Sequence, residues 1–224
     1  MNKPTRKTAV KIIELLSHGL VAGLGKQKPG EMCVEAAVCC ALGLPHGDAP
    51  PCVGDKVRKF KIALNDSLWS SNQARAQGMQ RLAIAQLGSD TLDQGNFSRL
   101  LALRVTQRLL PGALLDYSKY CFQNYVDPLK KIAADCEAAM TNEDVTASLD
   151  RLDSLARLAS LDRLDSLARL ASLARLAGLD SLARLDKFLK SVADVAVDVL
   201  IEMKSPGCKW IDVCEAEGMT PPAR

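Results

Sequence analysis

The chain is poor in aromatic residues and has no long uncharged apolar run. Phe, Trp and Tyr make up only 4% of its 224 residues, so its core has to be built from aliphatic side chains and alanine. Such a composition suits closely packed helices better than sheets, which favour aromatic and β-branched residues. No stretch of about 18 uncharged apolar residues occurs, and we therefore expect no membrane partner.

Strict alternation of apolar and polar residues, which marks a half-buried strand, is also missing. The net charge is only +3, with 29 basic and 26 acidic residues, and it does not by itself demand a polyanionic partner. Lys11, Glu14 and His18 interrupt the first apolar stretch, so we expect no export signal and a cytoplasmic protein.

Cysteine, by contrast, is plentiful, with eight residues. An even count invites a disulfide framework, but Cys39 and Cys40 are adjacent and lie with Cys33 in an alanine-rich segment. Without an export signal, disulfides are not favoured. We therefore expect reduced cysteines that are mostly buried.

The spacing of apolar residues, proline and glycine predicts a series of helices. They fall at residues 7–22, 31–42, 55–68, 71–87 and 96–110, then over the aromatic stretch 117–125, and then from Pro128 to Met140. The fold class is all-α: a multi-helix bundle over residues 1–140 with a Cys/Pro-rich loop at 43–54. A long helix follows at 141–205, and a short tail at 206–224.

A leucine triplet repeat dominates the second half of the chain. Thirteen leucines recur at every third position from Leu149 to Leu185. Ser148–Ala159 (copy 1) reads SLDRLDSLARLA, and Ser160–Ala171 (copy 2) repeats it letter for letter; a third, altered copy runs to about Ala183. Such repeats indicate an extended packing or interaction element.

In a helix, leucines three residues apart step around the axis by about 60°. They therefore form no heptad seam, and the segment is not a leucine zipper. Leucine on every side calls for enclosure by protein, because the interspersed arginines and aspartates argue against lipid. We expect self-association or binding to another helical protein. Passive expansion of a short DNA repeat is one alternative, and a left-handed β-helix is another.

The densest group of candidate functional residues begins at Met32-Cys33-Val34-Glu35-Ala36. A proline-rich loop with Asp48 and Cys52 follows, and then Leu64-Asn65-Asp66. Over residues 30–90 this arrangement resembles an uncharacterised family of bacterial and phage proteins. The resemblance implies a phage-related context and no known activity. The matching positions are Cys33, Glu35, Asp48, Pro50, Cys52, Asn65 and Asp66.

Two chemical roles are open for this region. Cys33, Cys40, His46 and Cys52 are ligand types that zinc accepts, although their spacing lacks the short C-x2-4-C pair of recognisable zinc sites. Alternatively, Cys33 and His46 form a nucleophile and base, with Glu35 or Asp48 orienting the histidine. The structural alternative is a cysteine-rich helix face packed beneath the proline loop.

The one basic cluster consists of Lys56, Arg58, Lys59 and Lys61, with Arg75 and Arg81 later in the chain. These residues predict either a solvated helix face or a surface for nucleic-acid phosphates. Asn65 and Asp66 are typical of a helix end followed by a turn.

Taken together, the sequence favours a non-enzymatic interaction or scaffolding protein that associates through the leucine repeat. A small nucleic-acid-binding or regulatory protein that uses residues 56–61 is the alternative. An enzyme is the third choice.

Overall fold

The computed structural model describes residues 3–119, 122–158 and 182–217. In this part of the chain all regular structure is helical apart from one isolated bridge between Gly25 and Met32, which confirms the all-α prediction. The α-helices are α1 (Arg6–Ser17), α2 (Val34–Ala41), α3 (Asp55–Asn65), α4 (Asn72–Ala85), α5 (Gln94–Arg108), α6 (Leu110–Ser118), α7 (Gln123–Ala138), α8 (Asn142–Leu158), α9 (Leu182–Glu202) and α10 (Asp212–Glu217). Short 3-10 helices lie at Ser89–Thr91 and Pro206–Trp210. Among the described helices, none combines the length and apolar character that a membrane crossing requires.

The described residues form two compact units. Unit 1 contains residues 3–98 and 185–217, and unit 2 contains the described residues between 99 and 184. The domain boundary expected at residue 140 lies inside unit 2, between α7 and α8. The expected C-terminal tail, as far as it is described, belongs to unit 1.

Unit 1 is built around α1, α2 and α4. On α1 the threonine at position 5 caps the helix, and a stripe of Ala9, Ile12, Ile13 and Leu16 is buried at three- and four-residue spacing. α1 packs on α2, α4 and α10, while α3 packs on α2 and α4. The amphipathic spacing thus puts the apolar side of each helix into a shared core.

The end of the chain returns to α4. The Ser205 hydroxyl donates to the Ala85 carbonyl oxygen at 2.6 Å, and the 3-10 helix Pro206–Trp210 packs on α4. A Cβ atom at Gly207 would lie 2.2 Å from the Ile84 carbonyl oxygen, so only glycine allows this approach. Residues that follow the repeat are therefore an integral part of unit 1.

Unit 2 contains the helices α6, α7 and α8, which pack in sequence order. Their shared core consists of Leu110, Leu114, Leu129, Ile132, Ala133, Cys136 and Leu152. The core is aliphatic, as the aromatic-poor composition predicted.

The helix predicted over residues 117–125 is replaced by two helices. α6 ends at Ser118, and α7 begins after Phe122, whose backbone is extended and whose side chain is 81% exposed. Pro128 lies inside α7 and does not open it. The proline removes one helical hydrogen bond, but Tyr125 and Leu129, on either side of it, both pack into the core of unit 2. The burial of these two side chains therefore outweighs the tendency of proline to interrupt a helix.

Only the two ends of the predicted 141–205 helix fall within the described residues. α8 reaches Leu158, which lies in copy 1, and α9 starts at Leu182. Thr141 and Asp144 cap α8 reciprocally, through Asp144 N–H to Thr141 Oγ1 at 3.2 Å and Thr141 N–H to Asp144 Oδ2 at 2.9 Å. The middle of that predicted helix, residues 159–181, lies outside the described part.

The loop between α1 and α2 depends on one glycine. Gly25 has φ +70°, and a Cβ atom there would lie 2.0 Å from the Glu31 carbonyl oxygen. The close approach lets Lys26 N–H donate to that same oxygen at 2.7 Å. The loop therefore needs glycine both for its left-handed backbone and for its close contact.

We expect Gly25→Ala to destabilise the protein by about 3 kcal/mol, since it combines backbone strain with a steric clash. Gly43→Ala is the matched control, because Gly43 has φ +71° but no atom near its Cβ position. That control should cost only about 1 kcal/mol. Urea unfolding of the full chain measures both values, and equal losses would contradict the role of the contact.

Candidate functional site

A buried ion pair joins α2 to α3 at the centre of the cysteine-rich region. Lys61 Nζ lies 3.1 Å from Glu35 Oε2, and both side chains are 0% exposed. Gln86, which follows α4, donates from Nε2 to the same Glu35 oxygen at 3.3 Å. Three consecutive helical segments of the chain thus meet at one carboxylate.

Burial acts on both charged members of this pair. Desolvation raises the pKa of Glu35, and the charge of Lys61 opposes that shift. Desolvation likewise lowers the pKa of Lys61, against the attraction of Glu35. Each ion is tolerated in the core because the other compensates for part of its desolvation.

Asn65 and Asp66 fasten the α1–α2 loop to the end of α3. The Asn65 side chain accepts from Val34 N–H at 3.3 Å and donates to the Val21 carbonyl oxygen at 2.9 Å. Asp66 Oδ1 accepts from Gly23 N–H at 2.8 Å and from Asn65 Nδ2 at 2.8 Å. α3 does end at Asn65, but these two residues also hold a loop more than 30 residues away in sequence.

Arg75 reinforces the same junction from α4. Its Nε donates to the Asn65 carbonyl oxygen at 2.8 Å, and its Nη1 donates to the Leu20 carbonyl oxygen at 2.8 Å. The guanidinium thus satisfies backbone carbonyl groups in the α1–α2 loop and at the end of α3. Sequence reasoning had placed Arg75 only near the basic cluster. The sequence signal for this structural role was that Arg75 stands in an alanine-rich helical stretch.

A small cleft of about 70 Å³ opens beside these residues. Its lining consists of Gly23, Leu24, Cys33, Val34, Asp48, Ile62, Asn65 and Asp66. The structure therefore brings together Cys33, Asp48, Asn65 and Asp66, which the resemblance had singled out. The volume has room for a few water molecules and is far below that of ordinary organic-ligand pockets.

Cys33 has a structural role at the start of α2. It is the N-cap residue, and its Sγ accepts from Ala36 N–H at 3.3 Å. Burial raises the pKa of the Cys33 thiol, which favours the protonated form and disfavours a nucleophilic role. His46, its suggested partner, uses Nε2 for a 3.2 Å hydrogen bond with the Gly25 carbonyl oxygen.

The four suggested zinc ligands occupy separate settings. Cys33 caps α2, Cys40 lies near the end of the same helix, His46 contacts the α1–α2 loop, and Cys52 lies beside Gly88. Within the described part of the chain, no three His, Cys, Asp or Glu side chains converge in a way that could hold a metal ion.

The basic cluster does not form one exposed face. Lys61 points into the core and cannot reach a phosphate group. Lys59 Nζ and Arg58 Nη2 each lie 2.9 Å from a carboxylate oxygen of Asp55. Lys56 is exposed. The predicted nucleic-acid surface is thus reduced to residues 56, 58 and 59, two of them paired with an acid.

A second candidate site lies in unit 2, where copy 1 packs on α7. We call this surface the α7 face; it comprises Leu129, Ile132, Ala133 and Cys136, with Asp135 at its edge. Leu152 of copy 1 is buried against it, and Leu149 and Leu155 are partly buried there. Arg151 forms an ion pair with Asp135, and the buried Ser148 side chain lies beside the Cys136 thiol. Three successive leucines of the triplet therefore serve helix packing.

Comparison of the chain with models of known families, with curated proteins and with solved structures finds no match. The resemblance at residues 30–90 stays a prediction.

We expect Lys61→Met to destabilise the protein by about 3 to 5 kcal/mol near neutral pH, because Glu35 then remains buried without its partner. The raised pKa of Glu35 means that the folded variant holds a proton that the unfolded chain releases. The loss should therefore grow as the pH rises above 4.5, the ordinary pKa of a glutamate. Unfolding free energies of variant and wild type at pH 5 and pH 8 measure it.

The matched control is the double variant Glu35→Leu with Lys61→Met, which removes both charges. It should recover most of the stability and lose the pH dependence attributed to Glu35. A single Lys61→Met variant with the same small loss at both pH values would contradict the structural role of the pair.

Proposed function

We propose that the protein is a non-enzymatic interaction or scaffolding protein that associates with itself through the leucine triplet repeat. The observation that carries this proposal is the packing of Leu149, Leu152 and Leu155 on the α7 face. At these three positions the triplet spacing thus serves contact between helices. The copies that follow carry the same leucine spacing.

Helical geometry explains why one neighbour is not enough. Each leucine of the triplet is displaced by about 60° from the one before it. Three successive leucines span about 120° of the helix surface, which is the width that one neighbouring helix covers. On a continuous helix, each further leucine of the triplet would lie about 60° farther around the axis and away from that neighbour. Burying them requires further helical surfaces, and a second copy of the chain supplies these.

The burial of these leucines also favours association energetically. Burial of one leucine side chain contributes about 1.5 to 3 kcal/mol. Copy 2 alone contains four leucines, at positions 161, 164, 167 and 170. Their burial between chains offsets the entropic cost of association for a modest interface. The interspersed charges keep the segment soluble and suit a cytoplasmic setting.

The nucleic-acid alternative has less support. Of the four basic residues proposed for it, Lys61 is fully buried and Arg58 and Lys59 pair with Asp55. A function of that kind requires salt-dependent binding to DNA or RNA. Such binding by the full chain, lost in a Lys56→Gln, Lys59→Gln variant, would favour the alternative.

The direct test replaces the four leucines of copy 2 with glutamine, giving Leu161→Gln, Leu164→Gln, Leu167→Gln and Leu170→Gln. Glutamine has nearly the helix propensity of leucine, so the change removes apolar contact and little else. We expect the wild type to be an oligomer and the variant to be a monomer of 24.2 kDa. Light scattering coupled to size-exclusion chromatography measures both masses.

The matched control changes two charged residues of the same copy, as Asp165→Gln and Arg169→Gln, and keeps Arg163, the counterpart of Arg151. It removes one charge of each sign and leaves the net charge and every leucine in place. This control should remain an oligomer. A wild type that is monomeric over a wide concentration range would overturn the proposal.

A further inference from the structure

The contact between copy 1 and the α7 face has three chemical parts. Leucine side chains fill the apolar surface, with Leu152 8% exposed. The Ser148 side chain, 2% exposed, meets the thiol of Cys136. An ion pair between Arg151 and Asp135 closes the edge. Together they define what the α7 face recognises: serine and arginine three residues apart, with leucine at every third position.

Copy 2 contains the same serine, arginine and leucine residues at the same spacing. Because its sequence is identical to that of copy 1, each contacting residue has an identical counterpart twelve positions later. Ser148 corresponds to Ser160, Arg151 to Arg163, and Leu152 to Leu164. The chain therefore carries one α7 face and two segments whose contacting side chains are identical.

We propose that the α7 face is a docking surface for copy 2 of a second chain, which takes the place of that chain's own copy 1. The inference rests on the proposed self-association and names the surface that receives the repeat. The occupant is defined by sequence identity with a segment that is seated on this surface in the structure.

The residues that precede each copy explain why copy 1, and not copy 2, occupies the α7 face within one chain. Val145 is 5% exposed at the start of α8, and Thr141 and Asp144 cap the helix. The residue twelve positions after Val145 is Arg157. Copy 2 lacks this apolar anchor, so exchange is driven by protein concentration.

Copy 2 could replace copy 1 on the α7 face of its own chain or of a second chain. Exchange between two chains is the more favourable of the two. In either case copy 1 leaves the face and copy 2 replaces it with identical contacts. Between two chains, however, the exchange brings two leucine repeats together, so that leucines facing away from α7 find a neighbour. This is domain exchange, in which an element moves between identical chains at low energetic cost.

The test introduces one cysteine, Ser160→Cys, into the full-length chain. Copy 2 on the α7 face would bring this cysteine to the native Cys136, as Ser148 is brought to it now. An equal mixture of isotopically labelled and unlabelled protein is oxidised with copper phenanthroline and digested. We expect peptide pairs linking position 136 to position 160, with mixed labels, and a yield that rises with protein concentration.

Two variants calibrate the result. Ser148→Cys should form the corresponding disulfide within one chain, which shows that Cys136 can be oxidised. Ser166→Cys is the negative control from copy 2, since its counterpart Ser154 is exposed and donates to the Asp150 carbonyl oxygen at 2.8 Å. It should not link to Cys136.

A second crosslinking experiment tests the same docking without using the buried thiol of Cys136. Asp135→Cys combined with Arg163→Cys replaces two residues at the edge of the contact, and a short bismaleimide then joins them. Asp135→Cys with Arg151→Cys is its positive control, based on the observed ion pair. We expect a covalent dimer from the first pair and a linked monomer from the second.

The outcomes separate this inference from the proposed function. Linkage of position 160 or 163 to the α7 face between chains supports the inference. Absence of both linkages in an oligomeric chain would overturn it while leaving self-association intact, as would linkage only within single chains. A chain that light scattering shows to be monomeric under the crosslinking conditions overturns both.

Discussion

Unit 1 depends on the buried pair of Glu35 and Lys61. Two opposite charges with 0% exposure are stable only as long as they face each other. The requirement sets the relative placement of α2 and α3, and Gln86 extends it to the end of α4. Asn65, one turn after Lys61, then ties the α1–α2 loop to the same junction. A loop rich in glycine and lysine thereby gains a defined path.

Unit 2 is constrained by a different kind of regularity. Leucine at every third position follows a row that winds around the helix, whereas a heptad keeps to one side. The row meets the α7 face at Leu149, Leu152 and Leu155. A repeat of this type is therefore suited to a helix with several neighbours. Because the duplication is exact, every side chain of copy 1 that contacts this face has an identical counterpart in copy 2.

Much of the fold could be predicted because helix periodicity is local. The apolar stripe of α1 and the stop before Pro206 follow from residues that lie within a turn or two of each other. Pro128 shows the limit of such reasoning, since α7 passes through it to bury Tyr125 and Leu129 on one core. Lys61 shows a second limit of local reasoning. A lysine among basic neighbours is expected to be exposed to solvent, and only the structure identifies Glu35 as its buried partner.

The candidate site was predictable in composition and not in arrangement. Cys33, Asp48, Asn65 and Asp66 were singled out from the sequence, and they do line one cleft. Their roles, however, depend on partners far away in the chain, such as Gly23 for Asp66 and Val21 for Asn65. The sequence by itself determined an all-helical chain, an aliphatic core and two identical copies of one segment, because all three follow from local composition and spacing. Only the tertiary structure decided which charges are buried and which helix receives the leucines, because desolvation and packing depend on contacts between residues that are distant in sequence.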